Sequence, residues 1–134
     1  MLSFQDKTFI TIAGKTYTVN YPNVGQILEI ESLKLLYSNN TYGALVKSGH
    51  TTASDLLNLV DAMSYFSVLA PELIKDMKIE DFSKVGAIQQ KQIVKAFITF
   101  WTWFRAMNEE LDKDDTEKKE DEIEEGKDTA DSEK

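Results

Sequence analysis

The side chains that chemistry usually recruits are few in this chain and poorly grouped. His50 is the only histidine, which excludes a multi-histidine metal site. Its setting, Ser48-Gly49-His50-Thr51-Thr52, reads as a polar surface loop and lacks the spaced glycines and lysine of a phosphate loop. Glu29 and Glu31 stand two apart on a helical segment and so point apart, against paired-carboxylate chemistry. Asp55 and Asp61 read as a helix-cap residue and a solvent-face charge. Asp112-Lys113-Asp114-Asp115 lacks the glycine and the terminal glutamate of a calcium loop. With no cysteine there is no disulfide, thiolate nucleophile or cysteine-ligated metal. The expectation is a protein that is not an enzyme and carries no cofactor.

What remains is apolar surface and charge. Five aromatics fall within Phe97-Ile98-Thr99-Phe100-Trp101-Thr102-Trp103-Phe104. At helical spacing Ile93, Phe97, Trp101 and Phe104 trace one stripe, with Ile98 beside it. Phe100, Trp103 and Met107 trace a second. Together they cover too much of the circumference for a helix that keeps one face wet. Two readings stand: a central core helix, or a helix part of which stays exposed to dock a partner or another copy. The second names Phe97, Phe100, Trp101, Trp103, Phe104 and Met107 as the binding set, centred on Phe100, Trp103 and Met107, because large rigid side chains bury much area at low entropic cost.

Charge divides the chain. Residues 108–134 hold fourteen acidic side chains and five lysines, a net of −9, whereas the preceding 107 net +1. That organisation predicts a folded domain over 1–107 and an acidic tail over 108–134. Low hydropathy and high charge predict disorder or fraying in the tail, with Glu/Lys runs able to extend the helix for some turns. The tail reads as a solubility device, an arm for a basic partner, or a mimic of nucleic-acid charge. Direct nucleic-acid binding is not expected: the body's basic residues are spread out, and only Arg105 is an arginine. No apolar window reaches the length of a membrane span, and the opening residues lack the pattern of a signal peptide.

The elements follow from local pattern. Thr8–Ala13 and Thr16–Tyr21 alternate and are rich in β-branched and aromatic residues, a hairpin with Gly14-Lys15 as its turn. Ile10 and Ile12 are placed on one face; Tyr17, Val19 and Tyr21 are placed on another. Asn23 with Gln26 reads as a capping box opening a helix from Val24 to Tyr37, whose apolar surface comes from Val24, Ile27, Leu28, Leu33, Leu35 and Leu36. A short helix covers Tyr42–Lys47. Thr52 to Asp55 repeats the cap signature before a helix over Ala53–Leu69. Pro71 opens a further turn or two ending near Met77, Lys78–Ser83 is a loop, and the last helix spans Ala87–Met107. The fold class is α+β, mostly α: an N-terminal β-hairpin packed on a small helical bundle.

In this order of features the chain resembles the tail assembly chaperones of long-tailed bacteriophages. The likeness is carried by Thr8-Phe9 with Gly14-Lys15-Thr16-Tyr17-Thr18-Val19, by Leu69-Ala70-Pro71-Glu72-Leu73, by Ile79-Glu80-Asp81-Phe82, and by a last helix running into a charged tail. It covers roughly Thr8 to Met107. The resemblance implies a protein made in the cytoplasm of the infected host cell that coats the long, helix-rich tape measure protein. It would keep that protein soluble until tail-tube subunits polymerise around it, and be absent from the finished virion. It implies no catalytic residues, and in many phages part of the product is lengthened by frameshifting. A homo-oligomer is compatible with it. Two rivals differ in class: a structural virion component such as a connector or tail-completion protein, whose hairpin adds an edge strand to a ring, and an acidic regulator that mimics DNA.

Overall fold

The computed structural model of the chain describes residues 4–130, with side chains to Lys113. Among them lie strands β1 (Lys7–Ile12) and β2 (Lys15–Asn20), and helices α1 (Val24–Tyr37), α2 (Tyr42–Ser48), α3 (Thr51–Leu69), α4 (Pro71–Asp76) and α5 (Ala87–Ala130), with a 3-10 turn at Phe82–Lys84 before α5. The fold is mostly helical with an N-terminal antiparallel hairpin. Asp6–Trp101 forms one compact unit, and the chain's first residues with Thr102 onward form a second, so the division falls inside α5. The α5 backbone is helical through Ala130, the extension that Glu/Lys runs allow. The expectation of disorder in the tail falls partly on side chains from Asp114 and on 131–134, outside the described residues.

The hairpin turn is one residue earlier than its sequence pattern implies. Ile12 pairs with Lys15, leaving Ala13 and Gly14 as the loop at φ 51° and 80°. Both central residues at positive φ make the primed turn whose twist matches the strands. An alanine there is strained where asparagine is tolerated, so Ala13→Asn is expected to stabilise the protein by about 0.5–1 kcal/mol, read as a raised midpoint in chemical denaturation.

The register also places the two apolar sets on one face rather than two. Ile10 is opposite Tyr17 and Thr8 opposite Val19, so Ile10, Ile12, Tyr17 and Val19 turn inward together and all are buried. That face lies along α5, where hairpin residues and Gln92, Lys95, Ala96 and Thr99 line a common hollow. A polar clamp fixes the other end: Lys15 Nζ and Tyr17 Oη donate to Asp76 Oδ2 at 2.6 and 2.8 Å. The Lys15 and Tyr17 donors hold the Asp76 carboxyl below its ordinary 3.8.

Helix α3 is the centre of the Asp6–Trp101 unit, packed by α1, α2 and α4. Ala53, Leu59, Val60, Ala62, Met63, Tyr65, Phe66 and Leu69 are all buried along it. It begins two residues before the expected Ala53, with His50 as its cap. Thr52 and Asp55 therefore lie inside the helix, and no side chain caps it. The capping box at Asn23–Gln26 forms in full, with Gln26 N–H donating to Asn23 Oδ1 at 2.9 Å and Asn23 N–H to Gln26 Oε1 at 3.0 Å. Pro71 takes the first turn of α4, where its missing N–H costs nothing. The expected loop at Lys78–Ser83 runs into the 3-10 turn, capped by Asp81, whose Oδ1 accepts from Ser83 N–H at 3.0 Å.

Candidate functional site: an inverted helix and an aromatic cluster

Helix α1 docks by Ile30, Lys34 and Tyr37, with Leu33 half-buried, and turns Leu28, Leu35 and Leu36 outward. Ile30, Lys34 and Tyr37, spaced four and three, form the inner stripe. Ile30 is 1% exposed. Tyr37 Oη hydrogen-bonds Ser67 Oγ at 2.9 Å, and its ring stacks on Phe82 at 5.0 Å between centroids. The Lys34 ammonium lies 5.5 Å above the Tyr42 ring and 5.4 Å above the Tyr65 ring, and pairs with Glu31 at 2.6 Å. A cation over two faces with its stem laid along apolar surface adds to the docking that Ile30 supplies.

With those positions inside, geometry sends the opposite face to water. Val24 is 74% exposed, Leu28 64%, Leu35 50% and Leu36 66%. By helical spacing Val24, Leu28 and Leu35 form one line, with Glu31 on it between the two leucines. Single exposed leucines are ordinary, but a contiguous apolar stripe two to three turns long is the mark of an interaction surface.

The polar seam behind α1 includes an acid the sequence pattern places in solvent. Asp61 is half-buried, and its Oδ1 accepts from Tyr42 Oη at 2.6 Å. Burial pushes the Asp61 carboxyl above 3.8, opposed by the Tyr42 hydrogen bond and Lys34, while burial and then Asp61 raise the Tyr42 phenol. Burial likewise pushes Tyr65 up to about 12. A raised carboxyl contributes stability that is full below its ordinary value and lost as pH rises through the folded value. Asp61→Asn keeps an acceptor for Tyr42 without the buried charge. Its stability relative to the parent is therefore expected to improve between pH 4 and pH 7, measured as the difference in denaturation midpoints at the two pH values.

The aromatic cluster expected on α5 is divided between inside and edge. Phe97 and Phe100 are 6% and 0% exposed. Their rings meet Tyr65 at 5.5 and 5.6 Å and Phe66 at 5.9 and 6.1 Å, in tilted and edge-on geometries. Trp101 rests against Tyr65 and Phe97, both at 5.7 Å, and keeps 37% of its surface in solvent. Phe104 and Met107 are buried and Trp103 is half-buried. The Met107 Sδ accepts from the Gln5 backbone N–H at 3.1 Å.

The six residues named from sequence are thus not one docking face. Phe97, Phe100, Phe104 and Met107 have almost no surface to offer a partner, which corrects the placement of the face around Phe100, Trp103 and Met107. Trp101 alone is openly exposed, beside Ile98 at 60%. The larger apolar surface lies on α1, and its signal in sequence was an excess of apolar residues around the whole helix.

Elsewhere, His50 is exposed at the α3 cap. Glu29 and Glu31 are both exposed on α1, and Asp55 is exposed on α3. Asp114 and Asp115 lie outside the described side chains. Among the described residues no group of three or more His, Asp or Glu side chains is placed to hold a metal ion, and no helix is long and apolar enough to cross a membrane. Comparison with protein families, with curated proteins and with solved structures finds no match.

Proposed function

We propose that this protein is a tail assembly chaperone of a long-tailed phage, holding the apolar helical stripes of a tape measure protein in solution while the tail is built. The observation that carries this reading is the outward leucine stripe of α1, fixed in place because the inner face of the helix is satisfied by Ile30, Lys34 and Tyr37. Such a stripe is a helix-in-groove or helix-on-helix contact waiting for an amphipathic partner. The charge of the chain, −8 overall, supports the role by keeping a coated complex dispersed. The resemblance over Thr8–Met107 supplies the identity of the client.

Co-expression with the neighbouring reading frames, followed by affinity capture and mass identification, tests it. Recovery of a very long, helix-rich protein is expected; recovery of none, with the leucine stripe intact, contradicts it. A structural tail component is the second reading, supported by the two-stranded sheet, whose outer edges no other described strand covers. Presence of the protein in purified particles would favour it.

A further inference from the structure

The outer face of α5 has the length and spacing of the α1 stripe with charge of the opposite sign. Ile88, Lys91, Lys95 and Ile98, spaced three, four and three, form one exposed line, with the two isoleucines 76% and 60% in solvent. Beside it a groove of about 520 Å³ runs between α3 and α5, floored by Leu59 and Val94 and rimmed by Asn58, Lys91 and Asp55. From Ile88 to Ile98 is about 15 Å of helix, and from Val24 to Leu35 about 16 Å. The α5 line reads apolar, basic, basic, apolar. The α1 line reads apolar, apolar, acidic, apolar.

We infer that the α5 ridge receives the α1 stripe of a second copy of this chain, Glu31 of one copy facing Lys91 and Lys95 of the next. The isoleucines and the groove floor give Leu28 and Leu35 an apolar seat, and opposite charge sets the register and suppresses a slipped or like-paired alignment. Asp55 on the far rim disfavours an acidic residue seated too deep toward α3. The contact is head-to-tail, using a different patch on each copy, so it repeats from copy to copy unless the rotation closes it. It uses the stripe assigned above to the client but stands without that reading: with no client present, it is what covers the leucines.

Sedimentation velocity of the full chain over a wide concentration range tests this. The average mass of the parent is expected to rise with concentration and to fall back as salt is added. Lys91→Glu with Lys95→Glu, and separately Glu31→Lys, should each weaken self-association at least about tenfold by placing like charges opposite each other. Mixing the two variants should restore it, because each then offers the other a complementary pair. Helical circular dichroism verifies that all three proteins are folded. A parent that stays monomeric at every concentration overturns the inference, and so does self-association indifferent to the α5 reversal. Neither result bears on capture of a tape measure protein, which has its own experiment.

Discussion

Leu28→Lys combined with Leu35→Lys is expected to leave the protein folded and to weaken capture of a long apolar partner at least about 100-fold. Each leucine is at least half exposed, so its loss removes little packing within the chain, and surface changes of this kind cost within about 0.5 kcal/mol. Both new lysines come within a turn of Glu31 and gain a modest ion pair. In a complex the account is different. Burying one leucine contributes about 1.5–3 kcal/mol, and an ammonium in its place must also be desolvated. Two such losses exceed the 2.7 kcal/mol that separates affinities 100-fold apart. Capture of the co-expressed partner measures it, beside a denaturation curve of the variant alone.

Phe100→Ala is expected to act in the opposite way, costing about 3–5 kcal/mol of stability. The ring is wholly enclosed and touches Tyr65, Phe66 and Phe97. Removing it opens a cavity between α3 and α5 that neighbouring rings, held in tilted and edge-on packing, cannot fill without leaving their favoured geometry. Thermal unfolding should fall by on the order of 10 °C or more. A stability within 1 kcal/mol of the parent would mean that Phe100 is a surface residue, as the binding-face reading of the aromatic run requires. The two substitutions therefore separate roles that composition merges: Phe100 as a residue of the fold, and the α1 leucines as the proposed partner contact.

The sequence made the elements legible wherever a single residue type has one local use. Asn23 with Gln26 fixes the start of α1, Pro71 the start of α4, and the β-branched alternation of Thr8–Tyr21 the hairpin. Where a residue type has several uses, it misled by small amounts. Glycine is the usual first turn residue at positive φ, so Gly14-Lys15 outranks Ala13-Gly14 until the inward burial of Ile10, Ile12, Tyr17 and Val19 sets the register. Thr52 and Asp55 look like a cap because their side chains can accept a hydrogen bond, yet the helix starts earlier, from His50.

The site was the least legible part, for a reason specific to α1. Periodicity identifies a helix by its apolar spacing and assigns the apolar face to the core. Here the core accepts Lys34 and Tyr37 because Tyr42, Tyr65 and Ser67 await them on α2 and α3, and those partners lie eight to thirty-one residues away in sequence. No local pattern shows that arrangement. The aromatic run on α5 misled for the same reason in reverse: Phe97, Phe100 and Phe104 are enclosed, and Trp101 is left at the edge. Asp61 was assigned to solvent because nothing near it in sequence announces the Tyr42 hydroxyl.

The absence of cysteine allows the central claim to be tested at one atom. Leu28→Cys, labelled with a polarity-sensitive thiol-reactive dye and diluted until the free protein is monomeric, reports the surroundings of the α1 stripe alone. Addition of the co-purified long partner is expected to shift the emission to shorter wavelength and raise its intensity, as the dye leaves water for an apolar contact. An unchanged spectrum on a complex that has demonstrably formed would contradict the account, because the partner would then be held elsewhere and the outward leucines of α1 would need another explanation.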